Sequence, residues 1–173
     1  VQQPVQENFE QVRSLLDDPA DLQQLQRIET WAKQQADLLE PVFAARRQAG
    51  SVKECHGDLH LGNITLYQGK IVPFDCIEFN ANLRCIDVLS EAAFLMMDLE
   101  AHGESALANR FLNAYLECTG DYGGLRVLQF YKSYRAMVRA KVALLNLHTQ
   151  GSDQQQRHQI FQQYHRYIGL AQR

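Results

Sequence analysis

The stretch that most constrains the fold is Cys55–Phe79, CHGDLHLGNITLYQGKIVPFDCIEF, set between long segments of helical pattern. Ile64–Leu66 and Ile71–Phe74 are strand-length apolar runs, and Tyr67-Gln68-Gly69-Lys70 between them reads as a hairpin turn centred on Gln68-Gly69. A hairpin reverses the chain, so Asp75 after the second run returns beside Asp58 and Asn63 on the tight loop before the first. Gly57 and Gly62 flank these residues, where a side chain would clash or the backbone needs a positive φ. Two carboxylates and an amide oxygen at the mouth of a small sheet are the donors that a divalent cation and a phosphoryl transfer require.

The rest of the chain reads as helix. Val5, Phe9, Val12 and Leu16 recur at helical steps within Val1–Leu16. Asp18-Pro19 opens a long second pattern to Gln48, with Leu22, Leu25, Ile28, Ala32, Ala36, Leu39 and Phe43 on one face. Trp31 flanks that stripe as a packing residue, and Pro41 predicts a kink or break near Leu39–Glu40. Ala49-Gly50-Ser51 ends the segment, and Val52–Cys55 fits an edge strand. After Phe79, Asn80-Ala81-Asn82 reads as a loop. A helix from about Cys85 to Ala101 is apolar nearly all round and therefore central. An amphipathic helix through Leu107, Phe111 and Tyr115 closes at Thr119-Gly120, and Gly123-Gly124 is a turn. A long helix over Leu125–Leu147 and a Gln-rich but periodic one over Asp153–Gln172 complete the chain. The expectation is a mainly helical α+β fold, a single domain over residues 1–173 with five or six helices and three short strands.

Composition excludes several classes. A net charge of −3 and a pI near 6.1 argue against a nucleic-acid binder, and no apolar run reaches the roughly 18 residues of a membrane helix. Cys55, Cys76, Cys85 and Cys118 show neither C-x-x-C spacing nor the density of a secreted scaffold, so reduced thiols and a cytoplasmic setting are expected. The chain starts at Val1 rather than Met, which suggests a part of something longer.

His56-Gly57-Asp58-Leu59-His60-Leu61-Gly62-Asn63 fits the kinase catalytic-loop pattern H-R-D-x-x-x-x-N with Gly in place of Arg. In that form it resembles the aminoglycoside phosphotransferase (choline kinase-like) branch of the protein kinase-like fold, with matches over about Cys55–Leu95. The resemblance implies the C-terminal lobe of that fold. It implies Asp58 as the catalytic residue that accepts or orients the proton of a substrate hydroxyl. It implies Asn63 and Asp75 as magnesium ligands, with ATP as phosphoryl donor and a small-molecule alcohol as acceptor. Asp87 would be a helix-start carboxylate that braces the loop around His56–Asp58, a role that attraction to the helix dipole could also explain. Two departures stand out: Asp75 is followed by Cys-Ile rather than Phe-Gly, and nothing matches the nucleotide-gripping lobe. No G-x-G-x-x-G, strand lysine of the V-A-I-K kind or G-x-x-x-x-G-K-[ST] occurs, so this chain alone is expected to transfer nothing. The implied partners are therefore the missing N-terminal lobe and, as occurs in this superfamily, a fused second nucleotide-binding domain.

Other readings compete. His56 orients the loop by hydrogen bonding rather than moving a proton. His56-x-Asp58-x-His60 also fits an alternating zinc set, and with it a metallohydrolase, though this leaves Asn63 and Asp75 without a role. His60 and Glu78 are otherwise substrate or metal-shell contacts, with a solvated loop carboxylate as the plain alternative for Glu78. Lys132, Arg135 and Arg139 share a face of a helix whose only charges are basic. They would hold phosphate or an acidic substrate, or else form a solvated face or pair with the acids of neighbouring helices. Finally, the lobe could be a non-catalytic binding or assembly module that kept the fold without the chemistry.

Overall fold

The computed structural model describes residues 2–149 and 153–172; Val1 lies outside them. Packing divides the chain into two compact units, Val1–Leu39 with Ser133–Arg173, and Glu40–Lys132. The protein is mainly helical α+β, with seven α-helices and four short strands among the described residues.

The first unit is all helix. Helix α1 (Gln2–Arg13) buries Val5, Phe9 and Val12, and Leu16 just beyond its end is buried too. Helix α2 (Pro19–Gln48) starts where expected. The Asp18 side chain accepts from Ala20 N (2.7 Å) and Asp21 N (3.4 Å), with Pro19 at the first helical position. Within this unit α2 buries Leu25, Ile28, Ala32, Ala36 and Leu39. Helix α7 (Gln154–Ala171) begins with a capping box in which Asp153 and Gln156 bond each other's backbone, and it buries Tyr164, Tyr167 and Ile168. Arg13 pairs with Glu29, and Lys141 Nζ donates to Asn8 Oδ1 at 2.6 Å.

The second unit holds all the described β structure. β1 (Val52–Glu54) pairs antiparallel with β4 (Cys85–Asp87), and β2 (Ile64–Tyr67) with β3 (Lys70–Pro73). The hairpin turn falls on Gln68 and Gly69, at φ 49° and 75°, the two positive values that a two-residue loop of the right twist requires. Leu66 lies opposite Ile71, and Ile64 opposite Pro73, on one face of the ribbon. Between the sheets, Ala81–Arg84 form a single turn of helix, α3, capped by Asn80. Helix α4 (Val88–Ala101) is buried over most of its circumference, as its composition requires. Helix α5 (Ser105–Thr119) stops at Gly120 (φ 69°), and Tyr122–Gly124 make a 3₁₀ turn into α6 (Leu125–Thr149).

Three expectations change. The helix expected from Cys85 begins at Val88, because Cys85–Asp87 bond across to Glu54–Val52 as a fourth strand. The expected loop at Asn80–Asn82 contains the start of α3, whose added turn brings the helix count to seven. There is also no break at Pro41, as α2 runs unbroken to Gln48. Beyond the proline, the Phe43 ring packs at a tilt against Phe130 and Tyr131 (centroids 5.2 and 5.6 Å) and Arg46 is anchored by two aspartates, which outweighs the one backbone bond that proline forfeits.

Candidate active-site loop

The loop Cys55–Asn63 is tied down at both ends by main-chain bonds. Cys55 N donates to Arg84 O (2.8 Å), Ile77 N to His56 O (2.9 Å) and Phe74 N to Asn63 O (2.9 Å). Gly57 sits at φ +87°, and a Cβ there would lie 2.9 Å from Leu83 O, so both reasons for glycine apply at once. Gly62 serves by its size. A Cβ would stand 2.8 Å from the His60 ring, which instead accepts the Gly62 N–H at Nδ1 (3.0 Å) and so caps the 3₁₀ turn Leu61–Asn63.

These constraints place the polar side chains. Asn63 Nδ2 donates to Asp58 O (2.9 Å) and Asp58 Oδ2 (3.0 Å), which joins the two ends of the motif directly. That leaves Asn63 Oδ1 as an oxygen acceptor without a partner among the described residues. Asp75 follows Phe74, whose N–H is the one held by Asn63 O, so the hairpin returns it to the loop as expected. It is exposed, its carboxylate has no partner among the described residues, and its backbone is left-handed at φ 61°. A non-glycine residue held there costs about 1–3 kcal/mol, and such strain gathers at functional sites.

His56 Nε2 contacts Phe74 O (2.8 Å) while Nδ1 accepts from Asp58 N (3.4 Å). The carbonyl needs a donor, which assigns the proton to Nε2 and makes His56 a strut between loop and hairpin. His60 is buried against Phe94 (centroids 5.6 Å), with Nε2 directed to Asp58 Oδ2 at 3.4 Å. The structure therefore makes His60 a fixture of the loop. Among the described residues, no group of three or more His, Cys, Asp or Glu side chains is placed to hold a metal, so His56, Asp58 and His60 do not form a zinc centre.

The sequence reading missed the carboxylates that carry the loop. Glu91 accepts from Gly57 N (2.7 Å) and Leu59 N (3.1 Å), and Asp98 accepts from Leu61 N (2.9 Å). Alternate amides of the loop thus meet acids projecting from α4, both nearly inaccessible to solvent. The bracing role expected of Asp87 belongs to Glu91, one helical turn on. Asp87 does cap the start of α4, accepting from Leu89 N at 2.9 Å. Its oxygens otherwise face Arg46 (2.7 and 2.8 Å) and the Tyr131 hydroxyl (3.2 Å), which turns it away from the loop. The available signal was Glu91 and Asp98, seven residues and two helical turns apart on one face of a mainly apolar helix.

Arg46 also donates to both oxygens of Asp121 at 2.7 Å. Hydrogen bonds to Asp87 and Asp121 raise the Arg46 pKa further above its ordinary value, and Arg46 holds Asp121 below the usual carboxylate range. Burial, with Asp121 beside it, pushes Tyr115 up to about 12.

The remaining candidates have other partners. Glu78 is exposed and contributes only its carbonyl, which accepts from Arg84 Nη1 at 2.7 Å. Lys132 is paired with Glu100 at 2.7 Å in the second unit. Arg135 and Arg139 belong to the first unit, Arg135 buried and Arg139 over the Tyr167 ring at 5.6 Å. The basic stripe is thus divided, and pairing with a neighbouring acid accounts for Lys132.

Over 136 residues, 79% of this chain, the sequence is 37% identical to proteins of Mycobacterium tuberculosis and Mycobacterium bovis whose names describe them only as uncharacterized. The chain spans 27% of the length of these relatives. No family model matches the chain. No solved structure matches it either.

Proposed function

We propose that this chain is the catalytic-loop lobe of a small-molecule kinase of the aminoglycoside phosphotransferase-like kind, transferring the γ-phosphoryl group of ATP to a substrate hydroxyl. The observation that carries the reading is the Asp58–Asn63 hydrogen bond, together with an exposed, strained and unpaired Asp75 one residue from Asn63's main-chain partner. The donors left over, an amide oxygen and a carboxylate, are hard oxygen ligands that suit magnesium, which keeps waters and phosphate oxygens for its other positions. When bound, magnesium would neutralise charge on the phosphates. Asn63 and Asp75 would hold it there. Asp58, fixed by Asn63 and His60, would align the acceptor hydroxyl and take up its proton. Glu91 and Asp98 keep the loop in this geometry before substrate arrives.

The nucleotide-holding lobe would come from elsewhere. Leu66 and Ile71 share the face of a bare hairpin with 72% and 77% exposure, and Phe79 is 85% exposed, an apolar surface suited to cover by another domain. The same surface also favours a second reading, a non-catalytic assembly module.

Calorimetric titration of ATP with magnesium, into the protein that carries this chain and into its Asp75→Ala variant, separates the two. The kinase reading expects magnesium-dependent binding weakened about tenfold or more in the variant, as loss of one metal ligand implies. Absence of binding, or equal binding by both proteins, contradicts it and leaves the module.

A further inference from the structure

The second unit carries a shallow cavity, open to solvent, of about 380 Å³ whose lining includes no residue of the Cys55–Phe79 loop and hairpin. Its apolar wall comes from Val42 and Ala45 on the last turns of α2 and Ala49 just beyond its end, and its charged groups are Arg46, Asp121 and Arg126. Two of these are already committed to each other. Arg46 is buried and shared between Asp87 and Asp121, and Asp121 also accepts from Tyr115 at 3.1 Å. Arg126 differs. It is exposed in the first turn of α6, it pairs with no described residue, and α6 carries no acid that could neutralise it.

A permanently charged guanidinium above an apolar wall recognises an anion with an apolar body. The nearby carboxylates decide its charge. Either anion would face Asp121 as well as Arg126, and although Asp121 is paired with Arg46 it repels a dianionic phosphate more than a singly charged carboxylate, which can meet the guanidinium fork in two parallel hydrogen bonds. We propose that this cavity binds a small organic carboxylate, with Arg126 holding the head group and Val42, Ala45 and Ala49 the apolar part. The site is separate from the loop and stands whether or not the kinase reading does.

Amide-resolved NMR titration of the full chain with octanoate, octanol and octylamine tests it, with Arg126→Gln and Arg126→Glu as variants. The expected result is saturable shifts at Val42, Ala45 and Ala49 with octanoate alone. Affinity should fall about fivefold or more in Arg126→Gln, as for loss of a charge-assisted contact, and further in Arg126→Glu. Arg126 is exposed, so both variants should keep the unfolding temperature of the parent. Equal response to octanol or octylamine, shifts confined to other residues, no saturation, or affinity unchanged in Arg126→Gln would each overturn the proposal.

Discussion

Gly57 shows how closely the loop is specified at the level of single atoms. Its φ of +87° and the 2.9 Å approach of Leu83 O to a hypothetical Cβ act together, so Gly57→Ala should destabilise the protein by about 2–4 kcal/mol, read from urea unfolding. Glu91→Gln is a subtler test. The amide retains one acceptor for two buried donors, and its NH₂ is turned against the other, which costs about 1–3 kcal/mol in the same assay. Asp121 sets the sign of an acid effect. Its folded-state pKa lies below the ordinary 3.8, so its contribution is complete above that value and disappears as pH falls through the lower, folded-state value. Asp121→Asn should therefore lose about 2 kcal/mol at neutral pH and show a flatter decline on the acid side, measured by denaturation at a series of pH values. At this scale the convergence of Asp58, Asn63 and Asp75 on one loop was legible, because the turn and hairpin that bring them there are set by local sequence. Glu91 and Asp98 were not, since their partners are backbone amides, which leave no mark in a sequence.

Among the elements, legibility followed the range of the interactions. The hairpin could be read because its turn chemistry is local, and Gln68-Gly69 adopt the two positive φ values it demands. Gln68 is a poor occupant of that position, so Gln68→Asn should stabilise the protein by a few tenths to about 1 kcal/mol in thermal unfolding. The strand Cys85–Asp87 could not be read. Three residues are too few to display alternation, and the strand exists because Val52–Glu54 lies across from it, some thirty residues earlier in the chain. Pro41 gave the opposite error. The local rule predicted a kink or a break, and the break does not occur: α2 runs on to Gln48, with Phe43 packed and Arg46 anchored beyond the proline.

For the whole molecule, the mainly helical α+β class followed from periodicity, and no helix among the described residues is long and apolar enough to cross a membrane. In α6 the division into two units falls inside an uninterrupted pattern and leaves no signal, whereas in α2 it falls between Leu39 and Glu40, beside the kink or break that Pro41 signals. The proposed divalent-cation site lies in the second unit, between the loop and the end of the hairpin. Amide NMR of the chain titrated with Mn²⁺, whose paramagnetism broadens signals near it, tests this without needing catalysis or a second lobe. Selective broadening is expected at Asp58, Asn63 and Asp75, competed by magnesium and abolished in Asp75→Ala. Uniform broadening across the exposed acids, or broadening at the loop that persists in Asp75→Ala, would contradict it.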